Sequence, residues 1–157
     1  MKKNVSLKIK SSQYSENLAP SGEAFKRELE LEDTVEILTE GTLYHKDNAT
    51  YITYEESAEA GLEDIRTLLK LQDNSLRIRR YGKDDDDDTD MLLQQGVRHI
   101  TRYKIPQLAS VDLEIFTNSL NGEINEDGYG TIAVDYKIRF DEYFSRRNVL
   151  EIEVQPS

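Results

Sequence analysis

Eight cations crowd into one region of an otherwise acidic chain: Arg66, Lys70, Arg77, Arg79, Arg80, Arg98, Arg102 and Lys104. A guanidinium presents a planar fork of N–H donors, which can grip a carboxylate or phosphate at two points. Which of these cations can do so inside a fold depends on the row each occupies. In SLRIRRYG, alternation places Leu76, Ile78 and Arg80 on one row and Arg77 and Arg79 on the other. An unpaired charge on an apolar row is costly, so a cation found there needs a partner or a ligand. On this reasoning Arg80 and Arg102 are the candidates for anion binding in an interior, with Tyr54, Tyr103 and Tyr136 beside them. Tyrosine offers a ligand an apolar body and a polar tip. The competing reading makes the cations a solvated outer face, neutralised by acidic neighbours.

Other chemistry finds less support. Glu55 and Glu56 are adjacent carboxylates, but on a strand they point to opposite faces and cannot act on one atom. His45 and His99 are the only histidines, lie in separate segments without metal-ligand spacing, and read as surface or rim residues. The acidic run Asp84–Asp88 fails the calcium-loop pattern in either register, because the glycine and the closing glutamate are missing. Segment 83–90 therefore reads as a solvated acidic hairpin tip, which discourages edge pairing. With no cysteine, no Gly-rich phosphate loop and no assembled triad, no catalytic residue, metal or cofactor is assigned, and the chain is expected not to be an enzyme.

The elements that must carry these residues follow a period of two. Val5, Leu7 and Ile9 alternate with polar residues. Leu43–Lys46 and Ala49–Ile52 flank Asp47-Asn48, a turn pair tolerant of positive φ, which sets Leu43 opposite Ile52 and Tyr44 opposite Tyr51. A second hairpin about Asp73-Asn74 sets Leu69 opposite Ile78 and Lys70 opposite Arg77. Arg98–Ile105, Val111–Thr117, Ile132–Phe140 and Leu150–Val154 continue the pattern. Segment 13–32, with Pro20 and Gly22, breaks it and reads as an irregular excursion. The expected fold is all-β: an antiparallel up-and-down barrel of about 8–11 strands, closed or nearly so. Its first and last strands pair to remove the exposed edges.

Length and charge bound the rest. The 157 residues fit a single domain spanning 1–157. A net charge of −11 opposes general nucleic-acid binding. No apolar run is long enough to cross a bilayer as a helix, the N-terminus lacks a signal-peptide core, and a cytoplasmic location is expected.

The segments MKKNVSLKIKSSQ, LRIRRYG, GTIAVDYKIRF and NVLEIEV, and above all EGTLYHKDNATYITYEES, resemble the YwiB-like family of uncharacterised bacterial proteins. One departure is KIPQLAS, which keeps Pro106 but not the glycine of the family's turn. The resemblance implies a calycin-type, lipocalin-like barrel and brings no assigned site. Together with the residues, it points to non-catalytic binding of a small anionic or amphipathic ligand in the barrel interior. The alternative is a filled barrel serving protein–protein interaction or regulation, including a homodimer.

Overall fold

The computed structural model describes residues 2–21, 24–56, 65–82, 89–104, 110–139 and 145–157, with the side chains of 16–29 and 102–111 left undescribed. Ten strands run in chain order: β1 (Lys3–Ser21), β2 (Ala24–Lys46), β3 (Ala49–Glu55), β4 (Arg66–Gln72), β5 (Ser75–Tyr81), β6 (Thr89–Gln94), β7 (Arg98–Lys104), β8 (Ser110–Ile124), β9 (Gly130–Arg139) and β10 (Ser145–Pro156). They form one antiparallel sheet in the order β6-β5-β4-β3-β2-β1-β10-β9-β8-β7, bent into a nearly closed barrel.

The hairpins obey the turn chemistry. Asp47 and Asn48 both take positive φ, and Leu43 faces Ile52 while Tyr44 faces Tyr51, the two tyrosine rings stacked at 4.8 Å. Asp73 also takes positive φ, and Leu69 meets Ile78. β1 and β10 pair along Val5–Ser15, so the first and last strands join as alternation requires. The residual seam lies elsewhere, between β6 and β7. There the turn joining them clasps β8: Gly96 N–H donates to Thr117 O at 2.9 Å, and Thr117 N–H donates to Val97 O at 3.4 Å.

Segment 13–32 differs from expectation. Its described part is not an irregular excursion but the far end of the β1–β2 hairpin, paired out to Ser21 and Ala24. Between Gln13 and Tyr14 the register slips, and Glu32 is the extra residue of a β-bulge. Of the acidic segment 83–90, only Thr89 and Asp90 fall among the described residues, both in β6.

Inward rows fill one half of the barrel with aliphatics. Leu7, Leu43, Ile52, Leu69, Leu76, Leu93, Ile115, Ile132, Val134 and Ile152 are essentially inaccessible to solvent. Burial of side chains of this size contributes about 1.5–3 kcal/mol each. Packing is close enough that Gly41 matters. A Cβ there would sit 2.6 Å from Thr53 O and 3.1 Å from a methyl of Leu7.

Candidate functional site

Most described cations of the stripe lie on an outer face beside acidic or aromatic neighbours. Arg77 donates to both carboxylate oxygens of Asp90, at 2.9 and 2.6 Å, and holds that carboxyl below its ordinary range. Arg79 lies 4.0 Å from the same carboxylate and over the Tyr81 ring. Lys70, across from Arg77, sits over Tyr51 at 5.6 Å. Arg66 reaches Glu55 at 3.8 Å and Arg98 reaches Glu114 at 2.6 Å. These exposed pairs each contribute little to stability, and because Arg77 and Arg79 share Asp90 while Lys70 meets only a ring, the stripe keeps part of its positive charge.

Arg80 is different. The register aligns Tyr54, Thr67, Arg80 and Thr89 across β3, β4, β5 and β6 as one inward row, directly beyond the apolar row Ile52, Leu69, Ile78 and Met91. Thr67 is fully buried. Its hydroxyl donates to Glu56 Oε1 at 2.5 Å, and Arg80 Nε approaches the same oxygen at 3.7 Å. The Glu56 side chain is 6% exposed, while Arg80 keeps 44% of its side chain open to solvent. The Tyr54 hydroxyl joins Glu56 and Thr67 by hydrogen bonds. Burial, followed by the Glu56 charge, raises its pKa far above the ordinary range, so Tyr54 stays a neutral donor. Glu55 points outward, 82% exposed, so the adjacent carboxylates do occupy opposite faces.

A second inward polar row faces this one. Thr117, Tyr136, Asn148 and Gln13 align across β8, β9, β10 and β1. Burial raises the Tyr136 pKa, and the Arg80 charge opposes that rise. Along the sheet five strands, β4, β3, β2, β1 and β10, separate β5 from β9, so the two polar rows face each other only because the sheet curls. The second row is unsatisfied. Among the described residues, Thr117 Oγ1, Asn148 Nδ2 and, from β7, His99 Nε2 are buried without a hydrogen-bond partner. An unpaired buried polar group costs on the order of 1–3 kcal/mol unless water or a ligand meets it.

His99 was expected at a surface or rim. Its pairing with Ile115, a core residue, instead puts it on the inward row of β7. His45 is exposed, with Nδ1 at 3.0 Å from Thr50 Oγ1. Two further site candidates lie in β7. The backbone of Tyr103 pairs with that of Val111, and the Tyr103 side chain lies outside the described residues. The backbone of Arg102 pairs with that of Asp112, and the Arg102 side chain lies outside the described residues. Alternation put Thr117 on the row of Leu113 and Ile115 without marking it as a site residue, and it did not single out Asn148 or His99. The only signal for them was their place beyond apolar neighbours on the same row. Among the described residues, no three His, Asp or Glu side chains converge as a metal site.

Comparison with known proteins adds family and fold. A family model described as "Domain of unknown function (DUF1934)" matches residues 23–152. Among solved structures, the crystal structure of ywiB protein from Bacillus subtilis is similar at a TM-score of 0.73 and 19% identity, covering 99% of this chain and 93% of that one. No curated protein matches.

Proposed function

Because the chain belongs to the family described as a domain of unknown function, DUF1934, whose description assigns no activity, we propose a function from the geometry: non-catalytic binding of a small anionic or amphipathic ligand inside a calycin-like barrel. The ligand lies between the two polar rows. The observation that carries this reading is an imbalance of hydrogen-bonding groups. On one side Glu56 already accepts from Thr67 and Tyr54 and lies against Arg80. On the other, the Thr117 hydroxyl, the Asn148 amide and the His99 ring have no partner among the described residues. Arg80 and the neutral Tyr136 phenol add donors. An oxyanion supplies the missing acceptors. The aliphatic packing beyond the rows limits any tail to a short one.

The protein is read as cytoplasmic and free of cofactor and metal, in keeping with a chain that has no cysteine. Among the described residues, no helix is long and apolar enough to cross a membrane. The same aliphatic packing supports a second reading, a filled barrel whose outer surface docks a partner.

Titration with hexanoate, against hexanol as the neutral counterpart, tests the proposal. Hexanoate is expected to raise the melting temperature and hexanol is not. Arg80→Leu is expected to weaken hexanoate binding by roughly tenfold or more, the loss of one charged hydrogen-bond partner. Equal binding of acid and alcohol, or an unchanged affinity in Arg80→Leu, rejects the anion site. Native mass spectrometry that finds the chain ligand-free and bound to a second protein supports the filled barrel instead.

A further inference from the structure

We infer that the outer face of β2–β5 is a docking surface for an extended acidic segment of another protein. The face is separate from the interior rows and keeps its chemistry whether or not the barrel holds a ligand. The register places Tyr44, Tyr51, Lys70 and Arg77 in one row across β2, β3, β4 and β5. Their chain neighbours Leu43, Ile52, Leu69 and Ile78 are buried, so this row points outward. Arg79 follows two places after Arg77 on the same face, with Asp90 across from it on β6. Among the described residues, these three cations share one carboxylate. Asp90 takes two of the Arg77 donors and lies 4.0 Å from Arg79, while Lys70 meets only the Tyr51 ring. Lys70 also stands directly opposite Arg77, and like charges in that position destabilise a sheet unless an anion joins them. In a chain of net charge −11 this is a local inversion.

The arrangement of the rings and cations selects the occupant. The Tyr44 and Tyr51 rings stack on one another at 4.8 Å, nearly parallel at 6°. Lys2 lies over Tyr44 at 5.8 Å and Lys70 over Tyr51 at 5.6 Å. The faces of this ring pair are therefore taken, by the other ring or by a cation, and no platform is left on which a nucleobase could stack. What the stack does is hold Lys70 in place, which reduces the entropy lost when it meets an anion. A single exposed ion pair contributes little, so a lone small anion gains little here and several carboxylates on one segment are needed. An extended segment presents alternate side chains on one face about 7 Å apart, the spacing of Arg77 and Arg79 along β5. One row beyond Arg79, toward β2, stand the exposed acids Glu40 and Glu55. A bilayer or a duplex is wide enough to meet those acids as well as the cations, whereas a narrow acidic strand fits between them.

The test uses the full chain and four fluorescent probes: eight-residue peptides alternating Asp with Ser and Asn with Ser, an oligothymidylate of the same length, and phosphatidylserine vesicles. The Asp-Ser peptide is expected to bind, with an affinity that falls as salt rises, and to shift the amide resonances of residues 68–70 and 77–79. The Asn-Ser peptide is expected not to bind. The Lys70→Gln/Arg79→Gln double variant, at outward positions, is expected to weaken binding roughly fivefold to tenfold at an unchanged melting temperature. Arg98→Gln, on β7 and outside the patch, is expected to bind the peptide as the parent does. So is Arg80→Leu, which keeps this outcome distinct from that of the interior site. The inference is overturned if the Asp-Ser peptide does not bind, or if the Asn-Ser peptide binds as well. Unchanged binding in the double variant, or tighter binding of the oligothymidylate or the vesicles than of the peptide, also overturns it.

Discussion

Arg80 and His99 show how much one residue's row decides. Arg80 sits two places beyond Ile78 and four beyond Leu76 on a strand whose other row is uniformly polar, so its inward place was legible in the sequence. β7 offers no such contrast, because Ile100 and Ile105 fall on opposite rows. Its partner β8 resolves the tie: Leu113 and Ile115 are buried, and their register partners are Thr101 and His99. That pairing is information about a neighbour, not about local pattern. The salt bridges at this scale make a titration prediction. Arg147 donates through Nε at 2.8 Å and through Nη2 to the Asp135 carboxylate, and these hydrogen bonds hold the Asp135 pKa below its ordinary range. A depressed carboxylate contributes stability above its unfolded-state pKa, and that contribution is lost as the pH falls through the folded-state value. Asp135→Asn is therefore expected to cost about 1 kcal/mol near pH 7, the low end for a charged pair because Arg147 keeps contact with solvent. Urea unfolding at descending pH should show the gap between variant and parent closing below the ordinary carboxylate range. A gap independent of pH would assign the effect to packing.

Among the elements, the hairpins β2–β3 and β4–β5 were readable because turn residues and side-chain pairing agree on a single register. The extension of β1 and β2 was not. Pro20 and Gly22 signal a break, and the bulge at Glu32 exchanges the two rows of β2, so the alternation before it contradicts the alternation after it. A strand that changes rows midway looks aperiodic in sequence although its hydrogen bonding continues. β10 makes the complementary point, since it is laddered on both sides, to β1 and to β9. Glu151 faces solvent there, so its side chain contributes little while its backbone belongs to the ladder. Glu151→Ala is expected to lie within about 0.5 kcal/mol of the parent, whereas Glu151→Pro should lose about 3 kcal/mol or more. Denaturant midpoints of the two variants measure the difference. Equal midpoints would mean that β10 is not an interior strand.

For the whole molecule, the antiparallel barrel and the pairing of its first and last strands were legible from period two and the need to cover edges. The position of the seam was not, because it depends on how far the closing strands reach once the sheet has curled. Among the described residues, β6 and β7 each have a ladder on one side only, and the turn between them holds β8 at Thr117. Protection should follow that asymmetry. In native-state amide exchange, β1 and β10 are expected to exchange most slowly and the seam-facing amides of β6 and β7 fastest. Uniform protection round the sheet would mean that the seam is laddered in solution.

The β1–β10 pairing has a consequence for biosynthesis. β1 is the first of the ten strands in chain order, yet one of its two partners, β10, is the tenth. At 5–20 residues per second, the nascent chain must hold that side of β1 unoccupied for on the order of ten seconds. The polar residues alternating along its outer row, among them Lys8 and Lys10, are what that waiting segment shows to the cell until β10 arrives.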